Sequence, residues 1–395
     1  MENNLDSKFS LQNILILTSY QACCAIVFGF GIYMLLQRGF SSSIAGVVFA
    51  VSYILGLLLQ PILADYLDKS TKISIFDIII ILAIIMVIAF IAYFFVSNGS
   101  IFILIIFVFS TTAVSVLEPL LNSISSVLKV NNINVVFSTA RACGSFVYGI
   151  TSMLFGVLTN KFSYFAVIVG GLVVSIIFTV FSFIFNSNYK KVKTNRVLLN
   201  EDNDIPFDEF IKNNIKFLLL CFALVGIFFG YMAGDNFIYL IIDNIHGNSE
   251  DMGIVLGVKA ILEGLVMVNF SKLSKRFKLN TLLSIAVTAF TLKSLCYYLA
   301  KTTFLVYACQ TIQMISFALL LPGMIEYIDL HMNSKVAIRG NSLFTMTITA
   351  GAIIASLLGG YLSDNYGIRT LCLVAFIVTL ISNILFILIL YLKRD

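Results

Sequence analysis

Charge is what this chain has least of. Of its 395 residues only 11% are Asp, Glu, Lys or Arg, where a soluble domain carries about a quarter. A buried soluble core is therefore a poor rival to a membrane protein, because no water-soluble face can be drawn on most of its segments. Histidine is reduced to His246 and His331, both at the edges of apolar runs, and no nucleotide-binding loop is present, so no enzymatic activity is expected. The seven cysteines are scattered without metal-ligand spacing. Cys23 and Cys24 are adjacent on one helix, which suits packing better than a ligand pair, so neither a structural disulfide nor a metal site is expected. No cleavable signal peptide is expected either, since the first apolar run is too long and lacks a cleavage-site pattern.

What the chain has is hydrocarbon: 59% hydrophobic residues and a mean hydropathy of +1.00. A bilayer core takes about 20 apolar residues per helix. The sequence supplies that length twelve times, near 12–36, 42–63, 73–96, 101–128, 134–158, 162–186, 213–243, 250–271, 279–299, 303–327, 341–362 and 368–391. With both termini in the cytoplasm, 18 of the 25 basic residues fall on the cytoplasmic side, with Lys190, Lys191, Lys193 and Arg196 the densest group. The outer loops keep only Arg38, Lys161, Lys301 and Arg369. The positive-inside rule selects that orientation, and the net charge of +5 follows from it without implying a nucleic-acid partner.

One long polar interruption, "SNYKKVKTNRVLLNEDNDIPFDEFI" (187–211), holds four basic and five acidic residues and reads as a cytoplasmic linker. It separates an N-terminal bundle (1–186) from a C-terminal bundle (212–395), six spans each. The fifth span opens "ARACGSFVYGITSMLFG" and the eleventh "AIRGNSLFTMTITAGAIIASLLGG". Both begin near an Arg and continue through small residues, which let helices pack closely in lipid. The expected fold is an all-α integral membrane protein of two six-helix bundles, the arrangement of carriers that rock around a midplane site.

A charge in hydrocarbon costs at least about 2.5–3.5 kcal/mol, so the few inside spans should face a partner or a wet cavity. In the first half these are Arg141 on the fifth span, within "VFSTARACGSFVYG", and Glu118 on the fourth, with Asn122 one turn further on. Asp77, near the start of the third span, reads as interfacial. In the second half they are Asp235, Lys259, Glu263 and Lys293, with Gln310 and Gln313 adding uncharged polarity. Other readings stand beside a functional one. Lys259 and Glu263 are spaced to satisfy each other on one helix, Asp235 sits towards the end of its span, Lys293 has the length to snorkel, and Arg141 with Glu118 has a structural-pair reading beside the favoured ligand-facing one. Tyr20 and Gln21 are cavity candidates by polarity alone.

With these residues in place, the chain resembles the major facilitator superfamily, and within it the oligosaccharide:proton symporters of the lactose-permease branch. "QPILADYLDK" (60–69) is similar to the loop after the second helix, matching at Gln60, Pro61, Asp68 and Lys69, with Ala64 where a Gly is usual. "FSTARACGSFVY" resembles the fifth-helix motif whose Arg binds sugar hydroxyls, and Tyr148, seven residues on, stands where the family stacks an aromatic on the sugar ring. "FTLKSLCYYLA" resembles the ninth helix, with Lys293 replacing an Arg of the coupling network. There are departures. The fourth-helix carboxylate falls at Asn122, with Glu118 one turn away. The tenth-helix His and Glu fall at Gln313 and Ser316. Glu263 is placed as in related nucleoside and phenylpropionate carriers.

The resemblance implies a proton-coupled symporter for a small polar solute, a sugar or glycoside, working by alternating access in the cytoplasmic membrane. Arg141, Tyr148, Asn122, Glu118, Tyr20 and Gln313 are the expected substrate-binding residues. Glu263, Asp235, Lys293 and Lys259 are expected to couple protons, and Gln60, Pro61, Asp68 and Lys69 to form a gating loop. No cofactor is expected beyond the proton. The partners expected are the solute and the bilayer, with the protein a monomer. Open alternatives are a nucleoside or aromatic-acid carrier, a metabolite or drug exporter, and an uncoupled membrane sensor.

Overall fold

The computed structural model describes residues 2–69, 73–131, 133–135, 137–192, 207–332 and 334–392. They are helical almost throughout and divide into two compact units. The first holds Met1–Phe40 and Val51–Asn200, the second Ser41–Ala50 and Glu201–Asp395. Residues 193–206 of the expected linker lie outside the described residues.

In the first unit the elements are α1 (Glu2–Cys24), α2 (Gly31–Gln37), α3 (Ser42–Lys69), α4 (Ile75–Ala92), α5 (Ile101–Asn122), α6 (Ile124–Val130), α7 (Phe137–Phe162) and α8 (Tyr164–Tyr189). The first turns of α3 belong to the second unit. That unit continues with α9 (Phe207–Asn213), α10 (Ile215–Asn236), α11 (Ile238–Asp243), α12 (Ser249–Arg276), α13 (Leu279–Leu299), α14 (Thr303–Thr311), α15 (Phe317–His331), α16 (Ser334–Tyr366) and α17 (Ile368–Tyr391).

Among the described residues eleven helical segments are long and apolar enough to cross a membrane, one fewer than expected. The remaining one, the eighth, corresponds to α12, which is 28 residues long and carries Lys259 and Glu263 within it; the side chains of Val268 and Ser271 on it lie outside the described residues. Outward-facing Phe95, Phe222 and Phe304 are among the most exposed large hydrophobic side chains, as suits a surface solvated by lipid tails.

Helix pairing repeats between the units. In the first, α1 packs on α7 and α8, and α4 packs on α5 and α8. In the second, α10 packs on α16 and α17, and α13 packs on α15 and α17. Span by span these are the same pairs, so the weak sequence likeness of the two halves reflects a repeated tertiary plan.

Interruptions repeat as well. The first span is broken by a π turn at Ala25–Gly29, and its counterpart, the seventh, breaks at Phe237 between α10 and α11. The fourth span breaks at Ser123 between α5 and α6, and its counterpart, the tenth, breaks across Ile312–Ser316 between α14 and α15. Pro119 explains part of the fourth-span interruption. It has no N–H to return to the Ser115 carbonyl, and Gln60 Nε2 donates to that carbonyl instead, at 3.3 Å. In the tenth span neither Gly nor Pro lies between Thr311 and Phe317, so the break is held by side-chain contacts from neighbouring helices. Discontinuous spans at matching positions of two repeats are the usual markers of a transport site.

Candidate functional site

The polar core of the second unit gathers at two of these breaks. Asp235 is the penultimate residue of α10, and Gln313 lies inside the tenth-span break. Lys259 and Glu263 come from α12, one helical turn apart, and Lys293 from the middle of α13. The Lys259 ammonium contacts Asp235 Oδ2 directly, and Lys293 Nζ lies 3.8 Å from Asp235 Oδ1. Lys293 also donates to Gln313 Oε1 at 2.7 Å. Through its amide nitrogen Gln313 then donates to Glu263 Oε2 at 3.0 Å and to the Tyr231 hydroxyl at 3.4 Å. Two acids, two bases and one amide thus form a connected chain, formally neutral, with Lys293 only 2% exposed.

Aromatic rings floor this network. Tyr231 lies one turn before Asp235 on α10, with the Lys259 and Lys293 ammoniums 5.4 and 5.3 Å from its ring centroid. The ring itself stacks on Phe317 at 5.4 Å and meets Phe290 edge-on. Tyr297, one turn after Lys293, presents its face to that ammonium at 5.6 Å and accepts at its hydroxyl from Gln310 Nε2 at 2.6 Å. Cation–π attraction is strongest where water is excluded, so Tyr231 and Tyr297 offset part of the cost of burying two ammonium groups. Sequence reasoning missed both tyrosines. Their signal was a four-residue spacing from a charged residue.

In the first unit Arg141, on the second turn of α7, places Nη2 3.6 Å from Glu118 Oε1 on α5. Glu118 is the exposed member of this pair, its side chain 49% accessible. Arg141 Nη1 is buried and has no hydrogen-bond partner, so the guanidinium keeps an uncommitted donor. Tyr148, two turns along α7, is half-buried. Gly144, between them on that helix, meets Gln21 of α1 so closely that an added Cβ would lie 2.8 Å from Gln21 Cγ.

Several expectations require correction. Tyr20 is 1% exposed, and its hydroxyl donates to the Val114 carbonyl at 2.9 Å beside Phe178. It is packed as core rather than turned to a cavity. Gln313 is wholly buried and serves the charge network, not an open ligand surface. Asn122 is exposed at the last position of α5, and Glu118 rather than Asn122 meets Arg141. The stretch 60–69 is not a loop, because α3 runs unbroken through Pro61 to Lys69, with Gln60 holding the carbonyl that Pro119 frees. The side chains of Asp68 and Lys69 lie outside the described residues. Lys259, one turn from Glu263 on α12, contacts Asp235 of α10 across helices. Asp77 closes a capping box with Ser74 and accepts from Lys190 Nζ and Asn186 Nδ2, each at 2.8 Å, which makes it a helix-end anchor.

Residues 13–385 match the family model described as "MFS_1 like family". No curated protein matches the sequence. Solved structures do match the fold. A crystal structure of a mutant of the nucleoside transporter NupG superposes with a TM-score of 0.81 at 14% identity, over 96% of this chain and 99% of that one. A bacterial homologue of the iron transporter ferroportin, in an inward-facing state, gives 0.69 at 17% identity over 99% and 100%. A bacterial homologue of the human lysosomal transporter Spinster, inward-facing and unoccupied, gives 0.70 at 14% over 98% and 97%. At these identities the likeness is one of fold.

Proposed function

Since the chain belongs to the MFS_1-like family, and is thus a multi-pass membrane transporter and not an enzyme, we propose that it moves a small polar solute by proton-coupled alternating access. The solute class is a sugar or glycoside, the membrane is the cytoplasmic one, both termini are cytoplasmic, and the working form is a monomer. The observation that carries this reading is the buried chain Lys259–Asp235–Lys293–Gln313–Glu263. Such a cluster is a poor device for stability alone, since burying ion pairs often costs more than it returns. It is a good device for exchange. Adding one proton to Asp235 or Glu263 leaves the neutral cluster with an excess positive charge, which must be relieved by rearrangement or by proton release.

On the first unit, Arg141 supplies planar, forked donors suited to vicinal hydroxyls or a carboxylate, and Tyr148 supplies an apolar face with a polar tip. Glu118 orients the guanidinium. The test is uptake into proteoliposomes from a panel of sugars, glycosides and nucleosides, with and without an imposed pH gradient. Nucleosides belong in the panel because NupG, a nucleoside transporter, shares the fold. Glu263→Gln and Asp235→Asn should each reduce gradient-driven uptake while sparing exchange of labelled solute at equal pH. If both variants retain gradient-driven uptake, proton binding at these acids is wrong.

A further inference from the structure

Another buried cation lies at the end of the first unit remote from the start of α1, where the connections α2–α3, α4–α5 and α7–α8 meet. Arg38, the residue after α2, is 4% exposed. Its Nη1 donates to the Val96 carbonyl at 2.8 Å and to Asn98 Oδ1 at 3.0 Å, and its Nη2 donates to the Tyr93 carbonyl at 2.7 Å. The guanidinium carbon stands 4.7 Å from the Tyr164 ring centroid. These acceptors are neutral oxygens at and beyond the C-terminal end of α4, where the helix dipole favours a cation. They account for three of the five guanidinium hydrogens. Nε is buried without any acceptor, and among the described residues Arg38 forms no ion pair.

Beside this guanidinium is a cavity of about 330 Å³. Ser97, Asn98 and Tyr164 contribute polar groups to its wall, and none of its lining residues is acidic. Asn98 Nδ2 donates to the Tyr164 oxygen at 3.4 Å, which leaves the Tyr164 hydroxyl proton to be given elsewhere. Phe94 and Phe165 also line it, both exposed and packed edge to face with centroids 5.6 Å apart. A pocket with a cation, hydroxyl donors and no acid selects an anion rich in acceptor oxygens, for which an arginine fork is geometrically matched. An apolar rim on a lipid-facing surface selects an anion that carries its own hydrocarbon.

We propose that this cavity binds a phosphate group, presented by the headgroup of an anionic phospholipid in the adjoining leaflet. Loop positions around Arg38 would then be tied to the lipid, so the three connections it joins are firmest when the site is filled. The same chemistry is offered by free phosphate, and the two sources separate experimentally. Full-length protein stripped of lipid in a non-ionic detergent is titrated with dioleoyl phosphatidylglycerol, with dioleoylglycerol, which lacks the phosphate, and with inorganic phosphate. Melting temperature and lipid retained in native mass spectrometry are read. Ser97→Asp, at an exposed position, sets a carboxylate in the cavity without removing any contact of Arg38, and Tyr164→Phe removes one donor.

Phosphatidylglycerol should raise the melting temperature and be retained, while dioleoylglycerol does neither. Ser97→Asp should need roughly tenfold more phosphatidylglycerol for the same rise, and Tyr164→Phe should fall between. A rise with inorganic phosphate equal to that with phosphatidylglycerol, lost in Ser97→Asp, supports the phosphate site and assigns it to the free anion. Equal responses to phosphatidylglycerol and dioleoylglycerol, or an unchanged response in Ser97→Asp, overturn the proposal.

Discussion

Lys259 and Asp235, 24 residues apart on different helices, are in direct side-chain contact inside the second unit, and Asp235 is also the counter-charge nearest Lys293. One carboxylate therefore answers for two ammonium groups. Asp235→Asn should leave both bases short of a partner, costing about 3–5 kcal/mol, as breaking a buried pair from one side does. Removing Lys259 as well, in Asp235→Asn/Lys259→Met, should recover part of that loss. Thermal melting in detergent checks both, and an Asp235→Asn protein that melts like the parent contradicts the network.

Gln313 is the joint between the two halves of the cluster. Gln313→Leu removes the amide that meets Lys293 and Glu263, leaving buried polar groups without it at a cost of about 1–3 kcal/mol. Gln313→Glu keeps the shape and adds a third acid. The first should melt lower and lose gradient-driven uptake. The second should retain the fold and move the pH dependence of uptake, read as initial rates across a pH series.

For the first unit the prediction separates affinity from stability. Arg141→Lys replaces a fork with a point charge and should weaken solute affinity, measured as the concentration for half-maximal uptake, with little change in melting. Glu118→Gln, at a half-exposed position, should cost at most about 1 kcal/mol of stability. Unchanged affinity in Arg141→Lys would remove that residue from the solute site.

Close backbone packing gives a fourth test. A Cβ on Gly46 would lie 2.1 Å from the Ser356 carbonyl oxygen, and one on Gly360 would lie 2.4 Å from the Ser42 carbonyl oxygen. Nearby, Asp364 accepts from the Ser42 and Ser43 amides at 3.0 and 2.7 Å. Gly46→Ala should melt below the parent because main chain, not a flexible side chain, blocks the methyl group. Asp364→Ala should cost about 1.5–3 kcal/mol, as loss of hydrogen bonds to a charged acceptor does.

Much of this was legible beforehand. Hydropathy alone located the spans, since lipid requires long apolar helices, and scarcity made each buried charge conspicuous. Arg141, Asp235, Lys259, Glu263 and Lys293 all stood out for that reason. Glu118 was also legible as the partner of Arg141, but the contact of Lys259 with Asp235 was not, because which charges meet depends on helix rotation and depth. Lys259 and Glu263 share a helical face, yet Lys259 turns to Asp235 across helices. Tyr231 and Tyr297 were hidden among many aromatics. The tenth-span break has no Gly or Pro to announce it, and Gln60 became intelligible only once Pro119 was seen to free the Ser115 carbonyl.

The allegiance of α3 has a practical corollary. Its Ser41–Ala50 segment clusters with Glu201–Asp395, although the rest of that helix clusters with the first unit. A fragment starting after the linker would lack the stretch of sequence that fills the notch beside Gly360 and takes up the Asp364 carboxylate. Split-gene expression at the linker should therefore yield a C-terminal piece that is proteolysed when produced alone and rescued when the N-terminal piece is supplied in the same cell.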